Sequence, residues 1–396
     1  MTAKMLTTAI IALAVSSLAG SASAQEPRPI RIGAVYPLTG PAAIFGQPAA
    51  LGHQIMIDRI NAEGGLLGRK IETVVRDSKG TPADATAAAR DLITLDEVDF
   101  VIGGVTSAEG LAISEVALQE KTIYVASVPK TVQMSEEKFH KYMFRTAANT
   151  NTEGGSAAII LSELGAKRIC TILLDYAYGH DLFKGFEKQL NQRAPEAEIV
   201  LRVWPKLNTT DYTAYITEVM RAGCDGVFSG IWGGLFPAFA KQASSFGFFD
   251  RVKYVSAGEI ASQEVAEQMK DDMPTGVWGN SYEVWYYPDT PEHRTYVEEL
   301  RKRTNKQYPP SWPIVGYMGV QILAAGIEKA GSTDTDAVIK ALEGLTVQTP
   351  IGPQTIRAKD HQANRGQFWG RMTEAKGLPF KRMDPVRYIA AEGIMD

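Results

Sequence analysis

Residues 31–76 read RIGAVYPLTGPAAIFGQPAALGHQIMIDRINAEGGLLGRKIETVVR, and this stretch determines how the rest of the chain is organised. An apolar run over residues 30–35 predicts a strand, which prolines and glycines then interrupt. Apolar residues at helical spacing follow, and Pro48 fits the first turn of that helix. Gly64 and Gly65 predict its end, and an apolar run over residues 71–75 predicts a second strand.

A strand, a helix and a second strand in this order form a βαβ unit, which predicts a parallel sheet. The turn between the first strand and the helix lies at the carboxyl edge of that sheet. Open α/β folds bind their ligands at this edge. We therefore expect the functional residues in the turns that follow the strands.

The same alternation continues through the chain in two successive halves, so the predicted fold class is α/β with two doubly wound parallel-sheet lobes joined by a multi-strand hinge. After residue 282 the pattern becomes more helical, and the last fifty residues read as strand and loop, which indicates that the chain crosses between the lobes more than once. The predicted organisation is a signal peptide over 1–24, lobe I over 25–146 with 283–345, and lobe II over 147–282 with 346–396.

The first 24 residues have the composition of a secretory signal peptide: Lys4, then an apolar run, then small residues before a cleavage after Ala24. A membrane anchor is the alternative, but the apolar run is short for a membrane span. The 396-residue chain has a formal net charge of −4 and no long Lys/Arg run, which argues against nucleic-acid binding.

The chain contains two cysteines, Cys170 and Cys224, and each one opens an apolar run. If these runs are the first and third strands of one doubly wound half, the cysteines lie at matching ends of neighbouring strands. An exported compartment permits a disulfide. Two separate buried thiols remain the alternative.

Chemical signatures of catalysis are missing from the sequence. It has no phosphate-binding G-x-x-x-x-G-K-[ST] loop, no G-x-S-x-G and no H-E-x-x-H, and its five histidines are scattered. We read His180 and Asp181 as surface residues. We expect no enzyme activity, no metal and no cofactor.

Hydroxyl groups and aromatic rings stand instead at the strand-to-helix turns. Thr106 and Ser107 follow a Gly-Gly pair, and we expect Ser107 to cap the next helix, whose N-terminus attracts an anion. Aromatic residues in the second half, such as Tyr178 and Trp232, can form the walls of a pocket, although they can equally pack the loops.

Several segments together resemble one family, the periplasmic solute-binding proteins of ABC transporters, of the branched-chain amino acid (Leu/Ile/Val-binding) type. The matching segments are VYPLTGP at 35–41, Gly46, INAEGGLLGRK at 60–70, VDFVIGG at 98–104 and Tyr178-Gly179. The resemblance implies a type I periplasmic-binding fold that closes two lobes around a small ligand.

The resemblance also assigns ligand-binding roles to particular residues. Thr106 and Ser107 correspond to the serine turn that holds the ligand carboxylate, and Glu259 corresponds to the acid that meets the ligand's ammonium. The other implied contacts come from aromatic residues and from the next turn: Phe45, Val128, Lys130, Thr131, Tyr178 and Trp232.

Lys130 stands where a small residue or threonine is commoner in this family, and it suits an extra acid group or a ligand without an amine. Trp285 adds to an aromatic-rich cleft. The resemblance thus implies a periplasmic receptor, monomeric, for an amino acid or related small carboxylate and for delivery to ABC permease subunits. An aromatic acid, an amide or urea is the alternative solute. A sensing module for a receptor or regulator, or an exported enzyme, is the alternative class.

Overall fold

The computed structural model describes residues 28–396, so the predicted signal peptide lies outside the described residues. Within that range the chain forms fourteen strands and eleven α-helices. The strands are β1 (Ile30–Tyr36), β2 (Ile71–Asp77), β3 (Phe100–Gly103), β4 (Ile123–Ala126), β5 (Met143–Arg145), β6 (Arg168–Ile172), β7 (Glu198–Val203), β8 (Gly226–Ser229), β9 (Lys253–Ser256), β10 (Trp278–Ser281), β11 (Thr346–Thr349), β12 (Gly352–Thr355), β13 (Gln367–Thr373) and β14 (Arg382–Ile389). The helices are α1 (Ala43–Ala62), α2 (Pro82–Thr94), α3 (Ser107–Glu120), α4 (Thr150–Glu163), α5 (Ala177–Arg193), α6 (Thr213–Arg221), α7 (Phe236–Ser245), α8 (Gln263–Met269), α9 (Pro291–Thr304), α10 (Pro313–Ala330) and α11 (Thr335–Leu342).

The first sheet has the order β2-β1-β3-β4-β5, and all its strand pairs are parallel. Helices α1, α2, α3 and α10 pack against its strands. We call this sheet with its helices lobe I. The predicted βαβ unit is confirmed: it consists of β1, α1 and β2, and the two strands are parallel.

The second sheet has the order β14-β13-β10-β9-β8-β6-β7 and forms lobe II with helices that include α4 and α5. Its strands from β7 to β10 pair in parallel. Strands β13 and β14 join antiparallel, so this sheet is mixed rather than purely parallel. The two-lobed α/β fold is confirmed.

Three chain segments meet where the lobes join. The Arg145 N–H donates to the carbonyl of His361 at 3.0 Å, and the Ala363 N–H donates to the carbonyl of Arg145 at 2.8 Å. The Arg365 guanidinium donates to the carbonyl of Tyr282 at 2.6 Å. A junction made of several strands is the kind of hinge that the sequence predicts. The lobe boundaries at 146, 282 and 346 stay a prediction.

Helix α1 begins at Ala43, so Pro48 lies in its second turn and not in the first turn, where the sequence predicts it. The turn forms early because the N–H groups of Phe45 and Gly46 both donate to the carbonyl of Ala42 at 3.0 Å. The missing N–H of Pro48 removes a single bond near the helix start, which the helix tolerates.

Helix α1 crosses α10 closely enough for backbone to touch backbone. A Cβ added at Gly52 would overlap the carbonyl of Pro313, and one added at Gly316 would overlap the carbonyl of Ala49. Any larger side chain at either glycine would push the helices apart. This contact fixes the start of α10, and with it Trp312, beside the carboxyl edge of the lobe I sheet.

Cys170 and Cys224 form a disulfide, with Cα atoms 5.8 Å apart. Cys170 lies in β6, and Cys224 precedes β8, the third strand of this half and the neighbour of β6. The structure joins the two cysteines, which is one of the two arrangements that the sequence leaves open.

None of the helices within residues 28–396 is sufficiently long and apolar to cross a bilayer.

Candidate functional site

A cavity of about 40 Å³ lies between the lobes, at the carboxyl ends of the strands. Five aromatic side chains line it: Phe45, Tyr176, Tyr178, Trp232 and Trp312. The other lining residues are Val105, Thr106, Ser107, Val128, Lys130, Gly258 and Glu259. The site combines wide apolar surface with a few polar groups, as small-molecule pockets do.

Eight of the ten residues predicted to bind ligand line this pocket: Phe45, Thr106, Ser107, Val128, Lys130, Tyr178, Trp232 and Glu259. They come from turns far apart in sequence, which the parallel topology collects at one edge. Whether they bind ligand stays a prediction.

Thr131 and Trp285 lie outside the pocket lining. The Thr131 N–H donates to Ser107 Oγ at 3.2 Å, and its hydroxyl donates to Asp181 of lobe II, so Thr131 joins the turns behind the pocket. The indole of Trp285 donates to Gln263 Oε1 at 3.0 Å and packs against Tyr308. Trp285 follows β10 and is not among the residues that line the pocket, and sequence spacing gives no indication of where its side chain goes.

The first turn of α3 lies at the pocket. Thr106, not Ser107, is the N-cap: its hydroxyl accepts from the Glu109 N–H at 3.1 Å, and Glu109 accepts from the Thr106 N–H at 2.8 Å. The expectation for Ser107 is wrong by one residue, because the chain enters the helix at Ser107. This capping box leaves the first-turn N–H groups of Ser107 and Ala108 without an acceptor among the described residues.

The aromatic wall is a contact between the lobes. Phe45 stacks on Trp312 with ring centroids 3.8 Å apart, and Trp232 of lobe II lies 6.1 Å from Phe45. Gly233 has a positive φ of 36°, and a Cβ there would overlap the ring of Phe45. Residue 233 therefore has to be glycine for the rings to meet.

Two further aromatic residues are held by hydrogen bonds rather than by packing alone. The Trp232 indole donates to Tyr176 Oη at 3.1 Å, and Tyr178 Oη donates to the carbonyl of Ala257 at 2.9 Å. Burial raises the pKa of both tyrosines, so they stay neutral. The rings are thus fixed before any ligand enters.

The polar end of the pocket is a buried charge cluster that spans both lobes. The Lys130 ammonium of lobe I donates to Glu259 Oε1 at 2.8 Å and to Glu153 Oε1, both in lobe II. Asn280 donates to the same two oxygens at 3.1 Å, and Gln367 donates at 2.7 and 2.8 Å. The second oxygen of each glutamate is buried without a partner among the described residues.

The cluster holds one positive and two negative groups, which shifts its titration. Burial raises the pKa of Glu153 to about 7, and the charge of Glu259 acts in the same direction against the lowering effect of Lys130. Burial disfavours the charged form of Lys130, but the two glutamates outweigh it and raise its pKa well above the usual value. Lys130 is therefore a permanent cation.

Glu259 has an unusual backbone, with φ at 56°. Left-handed residues other than glycine, asparagine or aspartate are uncommon and concentrate at functional sites. Its N–H donates to Asn280 Oδ1 at 2.8 Å, and the same Asn280 donates to its carboxylate. This double contact holds the strained residue with its carboxylate toward Lys130.

Other polar bonds also join the lobes around the pocket. Asp181 accepts from Thr131, and from Gln133 Nε2 at 3.1 Å. Asp181 is 1% exposed, so reading it as a surface residue is wrong. Glu264 of lobe II accepts from the N–H of Trp312 at 2.9 Å, just before α10 of lobe I.

The residues that sequence reasoning missed include Glu153, Asn280 and Gln367 of the charge cluster and Trp312 of the aromatic wall. Trp312 immediately precedes a helix that begins with proline, and this position could have identified it as a candidate site residue. Glu153 lies in the first turn of α4, and the other two lie in strands. No local pattern distinguishes them from ordinary helix and strand residues.

The sequence profile of the periplasmic binding protein family matches residues 29–377. This chain belongs to the periplasmic binding protein family. Members of this family are solute receptors. The sequence identity to individual relatives is low, so the solute of this protein depends on its own pocket residues.

The relatives and solved structures that are similar to the chain include receptors with different solutes. The leucine-, isoleucine-, valine-, threonine- and alanine-binding protein of Pseudomonas aeruginosa is 26% identical over 86% of this chain and 88% of its own length. An ABC-type branched-chain amino acid transporter protein of Rhodopseudomonas palustris CGA009 has a TM-score of 0.76 at 25% identity, over 93% of this chain and 98% of that one. A solute-binding protein of an ABC transporter from Rhodopseudomonas palustris BisB5, in complex with 3,4-dihydroxybenzoic acid, has a TM-score of 0.81 at 21% identity, over 91% and 98%. The last likeness concerns the fold alone.

Proposed function

We propose that this protein is an exported receptor, not an enzyme, that captures a small organic carboxylate between its lobes and delivers it to the permease subunits of an ABC transporter. The observation that carries the proposal is the pocket itself. It brings the open first turn of α3 and five aromatic rings together at the junction of two lobes.

The carboxylate binds at the N-terminus of α3. The N–H groups of Ser107 and Ala108 lack acceptors within the described part of the chain, and the Ser107 hydroxyl, which accepts from Thr131, keeps its own proton to donate. A helix N-terminus stabilises an anion by about 0.3–2 kcal/mol through its dipole, and hydrogen bonds to a charged group add about 1.5–3 kcal/mol each.

Closure follows because the binding surface is shared between the lobes. Phe45 and Ser107 belong to lobe I, and Tyr178, Trp232 and Glu259 belong to lobe II, so a ligand makes all contacts only in the closed form. Ligand then shifts the population toward closure. A shift from 1:99 to 99:1 needs about 5.5 kcal/mol of differential affinity. Burying two ring faces of ~100 Å² each supplies about 5 kcal/mol, and the carboxylate anchor adds to this.

The relatives bracket the solute class: one binds branched and small amino acids, and one structural neighbour holds a dihydroxybenzoic acid. All of these solutes carry a carboxylate. We infer the same group here, together with cleavage after Ala24, a periplasmic location and a monomeric receptor.

The test is a thermal-shift screen of residues 25–396 with amino acids, aromatic carboxylates, amides and urea. A ligand at 100 times its Kd adds about 2.7 kcal/mol to stability. Ser107→Ala should weaken binding at least about ten-fold, because it removes a donor to a charged group. Ser245→Ala, on an exposed helix end, is the matched control. A panel without a single carboxylate binder would refute the proposal.

A further inference from the structure

The ammonium group of Lys130 is enclosed by two carboxylates and an aromatic ring of the protein. Two of its N–H bonds go to Glu153 and Glu259, and the ring of Tyr282 lies below it, 4.6 Å from Nζ to the ring centroid. The residue is 6% exposed. Its charge is therefore used inside the protein and is not offered to a ligand anion.

Glu153 and Glu259 also receive hydrogen bonds from side chains of the protein itself. Each uses Oε1 to accept from Lys130, Asn280 and Gln367. Because Glu153 has a pKa raised to about 7, a proton can neutralise the charge that Lys130 leaves unmatched. The acidic end of the pocket thus needs no cation from outside.

One polar atom remains for a solute at this end. Glu259 Oε2 is buried without a partner within residues 28–396, and Glu259 lines the pocket. Buried acceptors in native proteins normally have a donor. An ammonium placed there would lie beside the Lys130 ammonium in a site of low dielectric, where like charges repel strongly. A neutral hydroxyl donates without that repulsion.

We propose that the solute is a small aromatic carboxylate without an amine, because Lys130 already supplies the cation at the acidic end of the pocket. The ring lies among Phe45, Tyr176, Trp232 and Trp312, and a ring hydroxyl donates to Glu259 Oε2. This inference rests on the proposed function and names its solute class.

The experiment is isothermal titration of residues 25–396 with matched pairs that differ only in the amine. Phenylalanine is compared with 3-phenylpropanoate, tyrosine with 3-(4-hydroxyphenyl)propanoate, and leucine with 4-methylpentanoate; benzoate and 4-hydroxybenzoate complete the panel. We expect the amine-free aromatic acid to bind at least ten-fold tighter than its amino acid partner. We also expect the hydroxylated acid to bind tighter than the acid without a hydroxyl.

The double variant Lys130→Met/Glu153→Gln assigns the selectivity to Lys130. It removes one positive and one negative group and leaves Glu259 with its bonds to Asn280 and Gln367. The preference for the amine-free acid should then fall at least ten-fold or reverse, because Glu259 is left to pair with a ligand ammonium. Glu153→Gln alone keeps Lys130 and should keep the wild-type preference.

The outcomes separate this inference from the function on which it rests. Tighter binding of the amino acid in any pair overturns the inference and leaves the receptor function intact. An unchanged preference in the double variant also overturns it, since another residue then excludes the amine. If no carboxylate in the panel binds, the inference and the proposed function both fail.

Discussion

Lys130 and Glu259 approach from opposite lobes, and Lys130 Nζ lies 2.8 Å from Glu259 Oε1 in the wall of the pocket. Their side chains are 7% and 3% exposed. A buried ion pair contributes little net stability relative to apolar residues, but losing one partner leaves an uncompensated charge. The pair therefore sets the charge of the pocket and couples the two lobes.

Lys130→Met should lower the free energy of unfolding by about 3–5 kcal/mol, because it leaves Glu153 and Glu259 buried without their cation. Urea unfolding measures the change. Lys130→Met/Glu153→Gln should recover part of the loss, since only one carboxylate stays charged.

The matched control for this charge deletion is Lys167→Met. Lys167 pairs with Glu196 on the surface, where both side chains are more than half exposed, and solvent screens such a pair so that it contributes little to stability. Equal losses in the two methionine variants would mean that the buried cluster is not what makes Lys130 stabilising.

The contribution of Glu153 to stability should fall as the pH rises from 4.5 to above 7, and Glu153→Gln should remove that contribution. The folded protein holds the Glu153 proton more tightly than the unfolded chain, since burial raises the pKa from 4.5 to about 7. This contribution is complete below pH 4.5 and is lost as the pH passes 7; its size is on the order of 3 kcal/mol. Melting temperatures between pH 4.5 and 8 give the measurement.

Gln at position 153 keeps the Oε1 acceptor and places its amide at the unpartnered Oε2 position. Glu264 also has a pKa raised to about 7 by burial, so the variant removes only part of the slope. A Glu153→Gln curve parallel to the wild-type curve would show that Glu153 does not bind this proton.

The carboxyl-edge residues could be predicted from sequence because strand ends and glycine turns are local patterns. Thr106, Lys130 and Glu259 each follow a short apolar strand, and parallel topology brings such ends together. The pocket was therefore foreseeable in outline.

The partners of Lys130 could not be predicted in this way. Glu153 and Gln367 are separated by 214 residues and meet only after the chain has crossed between the lobes. The direction of a side chain at a crossover is also not encoded locally, and Trp285 points toward Gln263 while Trp312 reaches Phe45. Burial of Asp181 depends on Thr131 of the opposite lobe.

Trp312→Leu should weaken solute binding at least about ten-fold, whereas Trp285→Leu should leave the affinity within about two-fold. Trp312 stacks on Phe45 in the pocket wall, and losing part of a ring face of ~100 Å² costs more than 1.4 kcal/mol. Titration of both variants with one tight-binding carboxylate compares them directly. Equal weakening would place Trp285 at the ligand, as the sequence alone predicts.

Removing the disulfide should destabilise the protein without changing solute affinity. The bond closes a loop with a sequence separation of 54 residues, and the chain-entropy argument gives about 4 kcal/mol for a loop of this size. Cys224 precedes β8, so the bond lies toward the amino ends of the lobe II strands, and the pocket lies at their carboxyl ends.

Cys170→Ala/Cys224→Ala, compared with the oxidised wild type in urea, should lose about 2–4 kcal/mol of unfolding free energy and titrate with the same Kd. Wild type reduced with a phosphine reagent serves as the control, because it lacks the bond but keeps both sulfur atoms. A Kd that changes with stability would mean that the bond also sets the position of the pocket loops, which the separation of the two strand ends argues against.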